Sequence, residues 1–150
     1  MSAADRSRLV DDLVQWLGKQ LDEDERIALA VGRESWQPRY VDSVSDSPDT
    51  ATVQLPDGTD VALMERYSYQ DAEHIAEHDP ARVLREIDAK RRMLALHHPR
   101  HDGYTWVCDT CSQYDVERRM VVHVYAPCEH LRLLALPYAD RPGYREEWRP

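Results

Sequence analysis

The hydrophobic residues at the start of the chain repeat at helical spacing. Between Asp5 and Val31 they recur mainly three, four and seven positions apart, at Val10, Leu13, Val14, Leu17, Leu21, Ala28 and Val31. This spacing predicts one long helix with a single buried stripe. Gly32 is a natural end for this helix, and Gly18 within it costs about 1 kcal/mol relative to Ala.

Between Trp36 and Met64 the pattern changes to short segments rich in β-branched and aromatic residues. These segments are RYVDSV, ATVQL and DVALM, and PDGT separates the last two. An Asp-Gly pair between alternating segments is a strong hairpin signal. We therefore predict a three-stranded antiparallel sheet, with the polar segment Ser43 to Thr50 as a loop between its strands.

Helical spacing returns after Tyr69. The segment QDAEHIAEH predicts a short helix, and Asp79-Pro80 then supplies an N-cap followed by proline at the first helical position. The second helix is predicted to run to about Leu96. Its expected buried stripe is Val83, Leu84, Ile87, Met93 and Leu94.

The remaining residues contain all three cysteines. They predict a hairpin from YTWVC and MVVHVY, a helix around Glu129 to Leu136, and a tail rich in Pro, Tyr and Trp. The expected fold class is α+β, with a long N-terminal helix, a small three-stranded antiparallel sheet and a helical pair. We predict a single domain over 1–150, made of a 1–96 body and a zinc-bound C-terminal lobe, 97–150, with a short helix.

Size and charge narrow the function classes. The chain has 150 residues, a net charge of -9 and a mean hydropathy of -0.70, which fits one small soluble domain. It contains no apolar run long enough to cross a membrane, and its start lacks the pattern of a signal peptide. We therefore expect a cytoplasmic protein without membrane contact.

The excess of arginine reflects base composition. The chain contains no Phe and no Asn, and its lysines are Lys19 and Lys90 alone, as a high-GC genome would produce. The net negative charge disfavours nucleic acid as a partner, because non-specific affinity depends on a basic surface. We interpret the basic positions from Arg82 to Arg92 as a solvated face that pairs with the acidic first helix, rather than as a phosphate track.

The cysteine spacing carries the main chemical signal. Cys108 and Cys111 form a C-x-x-C pair, and Cys128 follows after sixteen residues. Such a pair can turn two thiolates inward on one tight knuckle, and tetrahedral zinc would need a fourth donor. His97, at the end of a predicted helix, and His130, near Cys128, are the leading candidates; the other candidates are His98, His101 and His123.

A site closed by four protein donors would be structural, because no position remains for water. A thioredoxin-like redox pair or buried free thiols are the alternatives, and the first lacks the expected βαβ context.

A second pattern suggests metal hydrolysis. His74, Glu77 and His78 match H-x-x-E-H, an inverted zinc-protease motif. That class needs a further acidic ligand and a large cleft-forming body, so this chain is short for it.

Three segments carry a resemblance to a known family. They are DLVQWLGKQLDEDE (12–25), HIAEHDPARVLREIDAKRRMLALH (74–97) and PCEHLRLLALPYADRPGYREEWRP (127–150). Together they resemble a family of small uncharacterised proteins, a domain of unknown function, from high-GC Gram-positive bacteria and their bacteriophages. The resemblance implies an intracellular protein and favours His97 over His130 as the fourth ligand. It implies no activity, and it weakens the hydrolase interpretation because the family does not require a Glu at the position of Glu77.

The sequence favours a non-enzymatic, zinc-stabilised accessory or adaptor protein, encoded by a phage or prophage, that acts by binding another protein. A zinc-containing nucleic-acid-binding regulator is the alternative, and a metal-dependent hydrolase is a weaker third. The aromatic tail, with Tyr138, Tyr144 and Trp148, is a candidate contact surface, although aromatics that close over a small core are the commoner arrangement.

Overall fold

A computed structural model shows an α+β fold. It describes residues 3–41, 50–65 and 69–150, and the side chains of 7–39, 51–61 and 70–150. In chain order the elements are α1 Ala3–Val31, β1 Gln37–Val41, β2 Thr50–Gln54, β3 Asp60–Glu65, α2 Tyr69–Glu77, α3 Pro80–Leu96, β4 Arg100–His101, β5 Trp106–Asp115, β6 Met120–Tyr125, α4 Glu129–Ala135, and 3-10 helices at Leu136–Tyr138 and Glu146–Trp148. The predicted fold class is confirmed. Most of the predicted Ser43 to Thr50 loop lies outside the described residues, and Thr50 begins β2.

The chain divides into two compact units. The first comprises Met1–Glu23 and Asp88–Pro150, and the second comprises Asp24–Ile87. The expectation of a single domain over 1–150 remains a prediction.

The second unit contains the antiparallel sheet in the order β1-β2-β3. Ala51 and Val53 of β2 are buried against Ala72 and Ala76 of α2. Small alanine side chains allow the helix and the sheet to pack closely. Asp79 caps α3 as expected, because its carboxylate accepts the backbone N–H of Arg82 at 2.6 Å.

The first unit contains the sheet β4-β5-β6. Its core joins the N-terminal half of α1 to the C-terminal segment, with Leu9, Leu13, Leu131 and Trp148 buried in one cluster. Leu9, outside the predicted stripe of α1, is therefore a core residue. Val31, which the pattern placed in the stripe, is 59% exposed and is the last residue of α1.

The buried face of α3 is narrower than predicted. Ile87 is buried, whereas the rest of the expected stripe is half-buried: Val83, Leu84, Met93 and Leu94. Across the described parts of the chain, no helix combines the length and apolarity needed to cross a membrane.

Candidate metal centre

Four side chains of the first unit converge on one point. The ligand atoms of His97, Cys108, Cys111 and Cys128 all lie within 4.8 Å of one another. Cys111 is half-buried and the other three are buried. The structure thus brings together the four residues that the sequence analysis selected as ligands, and this group could hold a metal ion.

The distances within the cluster suit tetrahedral coordination. His97 Nδ1 lies 3.5 Å from the Sγ of Cys108, 3.3 Å from that of Cys111 and 3.7 Å from that of Cys128. A zinc tetrahedron with Zn–S bonds of about 2.3 Å and Zn–N bonds of about 2.0–2.1 Å has N···S edges of about 3.6 Å. One nitrogen nearly equidistant from three sulfurs is the arrangement that such a tetrahedron requires.

His97 is positioned by the end of α3. The helix ends at Leu96, and the backbone N–H of His97 donates to the carbonyl of Met93 at 3.0 Å. This bond continues the helical pattern by one residue, so the imidazole projects from a rigid support.

Cys108 and Cys111 lie on a knuckle inserted into β5. Cys108 pairs with Val124 and Gln113 pairs with Val122, so residues 109–112 stand opposite His123 alone. The Ser112 hydroxyl closes this bulge, because it donates to the Cys108 carbonyl at 2.7 Å and accepts the Val124 N–H at 3.1 Å. Because the bulge interrupts the regular strand pairing, Cys108 and Cys111, at the two ends of the C-x-x-C segment, can both face the same point.

The two middle residues of the knuckle fasten it to the segment around His97. Asp109 accepts two hydrogen bonds from the Arg100 guanidinium, at 2.5 and 2.7 Å. The Thr110 hydroxyl donates to the Leu96 carbonyl. Their partners, Leu96 and Arg100, lie on either side of His97 in the chain. The bonds therefore fix the position of the His97 ring relative to the cysteine pair.

Cys128 occupies the N-cap position of α4 in extended backbone geometry. Its carbonyl accepts the first helical bond, from the Arg132 N–H at 3.2 Å. The third sulfur is therefore held at the start of a helix, next to the buried residues of the core.

In the metal-free cluster, burial makes the thiols of Cys111 and Cys128 harder to ionise. Desolvation, together with the neighbouring sulfurs, raises the pKa of Cys111 to about 12. Burial also raises the pKa of Cys128, an effect that the Leu131 backbone N–H offsets in part. A divalent cation would reverse this preference by stabilising the thiolates, at the cost of releasing protons.

The pKa of His97 shifts in the other direction, because burial and the nearby His130 both lower it. Its imidazole is therefore held in the neutral form, which is the form that binds metals.

His130 lies beside the cluster but outside it. Its ring stacks on that of His97, with centroids 4.4 Å apart, and its Nδ1 lies 3.4 Å from Cys111 Sγ. It is exposed and is not in the four-residue group, and neither are His98, His101 and His123. This position suits a donor of an N–H···S bond to Cys111 better than a fourth ligand.

The second sequence motif forms no comparable centre. The rings of His74 and His78 lie 4.4 Å apart on the exposed surface. The Glu77 carboxylate contacts the guanidinium of Arg82 at 3.4 Å. Within the described ranges, these three residues are not part of a group with metal-ligand spacing.

Arginines on the basic face of α3 form ion pairs with carboxylates. Arg82 pairs with Glu86 at 2.9 Å, and Arg91 pairs with Asp22 of α1 at 2.7 Å. Arg92 pairs with Asp88 on its own helix at 2.8 Å. The Arg91 pair is of the kind expected between this face and the acidic first helix.

The aromatic tail closes over the core. Tyr138 and Trp148 are buried, and the ring centroid of Trp16 lies 5.7 Å from that of Tyr144 and 5.3 Å from that of Trp148. The tail is therefore a packing element in the first unit rather than an exposed contact surface.

Sequence reasoning missed the residues that hold the knuckle in place, namely Arg100, Thr110 and Ser112. Each is an ordinary surface residue type, and its role depends on which carbonyl or carboxylate the fold brings near. The one available signal was the polar character of both middle positions of the C-x-x-C segment.

Fold and site together define an α+β protein with a three-cysteine, one-histidine cluster suited to a metal ion. The chain belongs to DUF6221, a family of unknown function, whose model matches residues 10–150. The expected membership of a family of unknown function is confirmed, and the expected range of bacteria and phages remains a prediction. No curated protein and no solved structure matches the chain.

Proposed function

We propose that this protein is a non-enzymatic accessory or adaptor protein, stabilised by a structural zinc ion, that acts by binding another protein. The observation that carries the proposal is the His97, Cys108, Cys111 and Cys128 cluster, with ligand atoms within 4.8 Å of one another. Its N···S distances match the edges of a zinc tetrahedron.

The donor set supports zinc among the common metals. Three thiolates and one imidazole are soft or borderline donors, which favour zinc over magnesium or calcium. Four-coordinate sites of the Cys3His type are typical structural zinc sites.

The closed donor set supports a structural role. Four protein donors complete a tetrahedron, so no position is left for a water or a substrate. Bound zinc would connect the end of α3, the β5 knuckle and the start of α4, and its binding free energy would add to that of folding.

The chemistry of the site also supports a reducing compartment. All three cysteines are free, and thiolates persist as ligands where disulfides do not form. This agrees with a cytoplasmic protein, and the arginine-rich, phenylalanine-free composition agrees with a high-GC bacterial or phage genome.

Exposed apolar residues support a protein partner. Strand β6 is an edge strand, and it exposes Met120, Val121, Val122 and Tyr125 by 53, 43, 46 and 60%. An edge strand that exposes apolar side chains is a place where another protein chain can pair or pack. The net charge of -9 supports the same preference over nucleic acid.

The structural role is tested by Cys128→Ser. We expect the variant to lose bound metal and to melt at a lower temperature, because a hydroxyl is a poor zinc ligand and the site loses one of its four donors. Metal content by mass spectrometry and thermal unfolding measure both effects. Glu129→Ala, at the neighbouring exposed position, is the control and should retain metal and stability. Full metal content in the serine variant would contradict the proposal.

The binding role is tested by using tagged wild-type protein as bait in host lysate. We expect a protein that co-purifies in stoichiometric amount and re-forms the complex from purified components. A mobility shift of nucleic acid at low salt that weakens as salt rises would instead support the nucleic-acid alternative.

A further inference from the structure

The three sulfurs of the metal centre differ in their access to solvent. Cys108 is 0% exposed and Cys128 is 1% exposed, whereas Cys111 is half-buried. A reagent from solvent therefore reaches one sulfur of the cluster before the other two.

A groove on the β5–β6 hairpin leads to that sulfur. It has a volume of about 450 Å³ and is lined by Cys111, Gln113, Tyr114, Asp115, Val122 and Val124. The groove is much larger than a water molecule, whose share of liquid volume is about 30 Å³. Small peroxides can therefore enter it.

We propose that Cys111 is an oxidative modification site, attacked by hydrogen peroxide through this groove, which then closes a disulfide with Cys108 and releases the metal. The inference rests on the proposed zinc site and adds to it a mechanism by which the site is lost.

The chemistry takes two steps. The Cys111 thiolate attacks one peroxide oxygen, so an S–O bond forms, the O–O bond breaks and hydroxide leaves. The Cys108 thiolate then attacks the Cys111 sulfur, so an S–S bond forms and the second hydroxide leaves. The two sulfurs lose two electrons, which the peroxide gains, and the two hydroxides become water by taking up two protons from the buffer. The cation loses two of its four ligands and dissociates.

Cys108 is the partner because it shares the knuckle with Cys111. Their ligand atoms lie within 4.8 Å of each other, and a disulfide of about 2.05 Å between them requires adjustment of one short bulge. Cys128 stands at the start of α4, beside the buried Pro127, so a disulfide with it would require movement of a helix that is packed into the core.

The test uses reduced, zinc-loaded wild-type protein whose metal content is measured first. Substoichiometric peroxide is added with dimedone, which traps sulfenic acids, and peptide mass spectrometry locates the label. A sample without dimedone is mapped for disulfides while a chelating dye follows zinc. We expect the dimedone label on Cys111, a Cys108–Cys111 disulfide, and zinc release in step with that disulfide.

Two tryptophan substitutions test the route. Val122→Trp fills the groove, whereas Val121→Trp changes the neighbouring residue, which does not line it. Both positions are exposed, by 46 and 43%, so both variants should fold and bind zinc. We expect oxidation of Cys111 to slow roughly threefold or more in V122W and to be unchanged in V121W, because reaction follows access.

The outcomes separate the two proposals. A wild-type sample that holds no zinc before peroxide is added contradicts the proposed function, and this inference with it. A zinc-loaded sample in which Cys108 or Cys128 is labelled first, or in which a different disulfide forms, contradicts this inference alone. Equal oxidation rates in V122W and V121W would exclude the groove as the route.

Discussion

His97 and His130 lie side by side, yet they occupy different positions relative to the cysteines. His97 is buried and lies within 3.7 Å of all three sulfurs. His130 is exposed and contacts the cluster through Cys111. Spacing along the chain left both open as the fourth ligand, since each is near a cysteine or a helix end. The distances in the structure favour His97 as the fourth ligand.

Replacement of the two histidines should have different effects on metal binding. His97→Ala should lose metal, because it removes a donor from the centre of the cluster, whereas His130→Ala should retain one metal ion per chain. Removing the His130 ring should weaken affinity by roughly tenfold, the lower end of the effect of a residue that hydrogen-bonds to a ligand. Metal content and competition with a chelator measure both effects. Loss of metal from the His130 variant alone would reverse the assignment.

Cys111 provides a second prediction, on pH. In the metal-free protein its pKa is raised from 9.0 to about 12, so the folded chain holds this proton more tightly than the unfolded chain does. The raised pKa of Cys111 therefore stabilises the folded chain in full below pH 9.0, and this contribution is lost as pH rises towards 12.

The measurement is thermal unfolding of chelated, reduced protein across this alkaline range. The melting temperature of the wild type should fall more steeply with pH than that of Cys111→Ser, which lacks the titrating thiol. Identical slopes for the two proteins would show that the folded state does not raise this pKa.

At the scale of the elements, two glycines of the first unit differ in the space that they leave for a side chain. Gly18 lies within α1, and a Cβ added there would meet no atom within 4 Å. Gly143 has φ +87°, and a Cβ there would lie 3.0 Å from Trp16 Nε1. The Trp16 indole N–H also donates to the carbonyl of Pro142 at 3.0 Å, so this neighbour cannot move without losing a bond.

Alanine should therefore have opposite effects on stability at these two positions. Gly18→Ala should raise the free energy of unfolding by about 0.5–1 kcal/mol, because alanine loses less backbone entropy in a helix. Gly143→Ala should lower it by about 1–3 kcal/mol through backbone strain and the close contact. Denaturant unfolding measures both changes. A destabilised Gly18 variant would indicate that α1 packs more closely at this position than the structure shows.

The sequence predicted the elements whose signals are local. Helical spacing located α1 and α3, Asp79-Pro80 marked the start of α3, and Asp-Gly marked the β2–β3 turn. The two-residue strand β4 was missed because its pairing with β5 depends on the fold rather than on local pattern. The knuckle bonds of Thr110 and Ser112 were missed for the same reason, since their partners lie elsewhere in the chain.

At the scale of the whole molecule, the candidate centre joins segments that are distant in sequence. His97 and Cys128 are separated by thirty-one positions, and both lie in the first unit. Cys108 and Cys128 belong to the same buried cluster as Leu9 and Leu13 of α1. A metal at this point would therefore hold together the C-terminal segment that packs on the first helix, and its removal should loosen that packing.

The most direct measurement is the metal content and X-ray absorption spectrum of reduced, purified wild-type protein. We predict one zinc ion per chain with a first coordination sphere of three sulfurs at about 2.3 Å and one nitrogen at about 2.0–2.1 Å. A stably folded protein that holds no metal, or a metal surrounded by oxygen and nitrogen alone, would contradict the account.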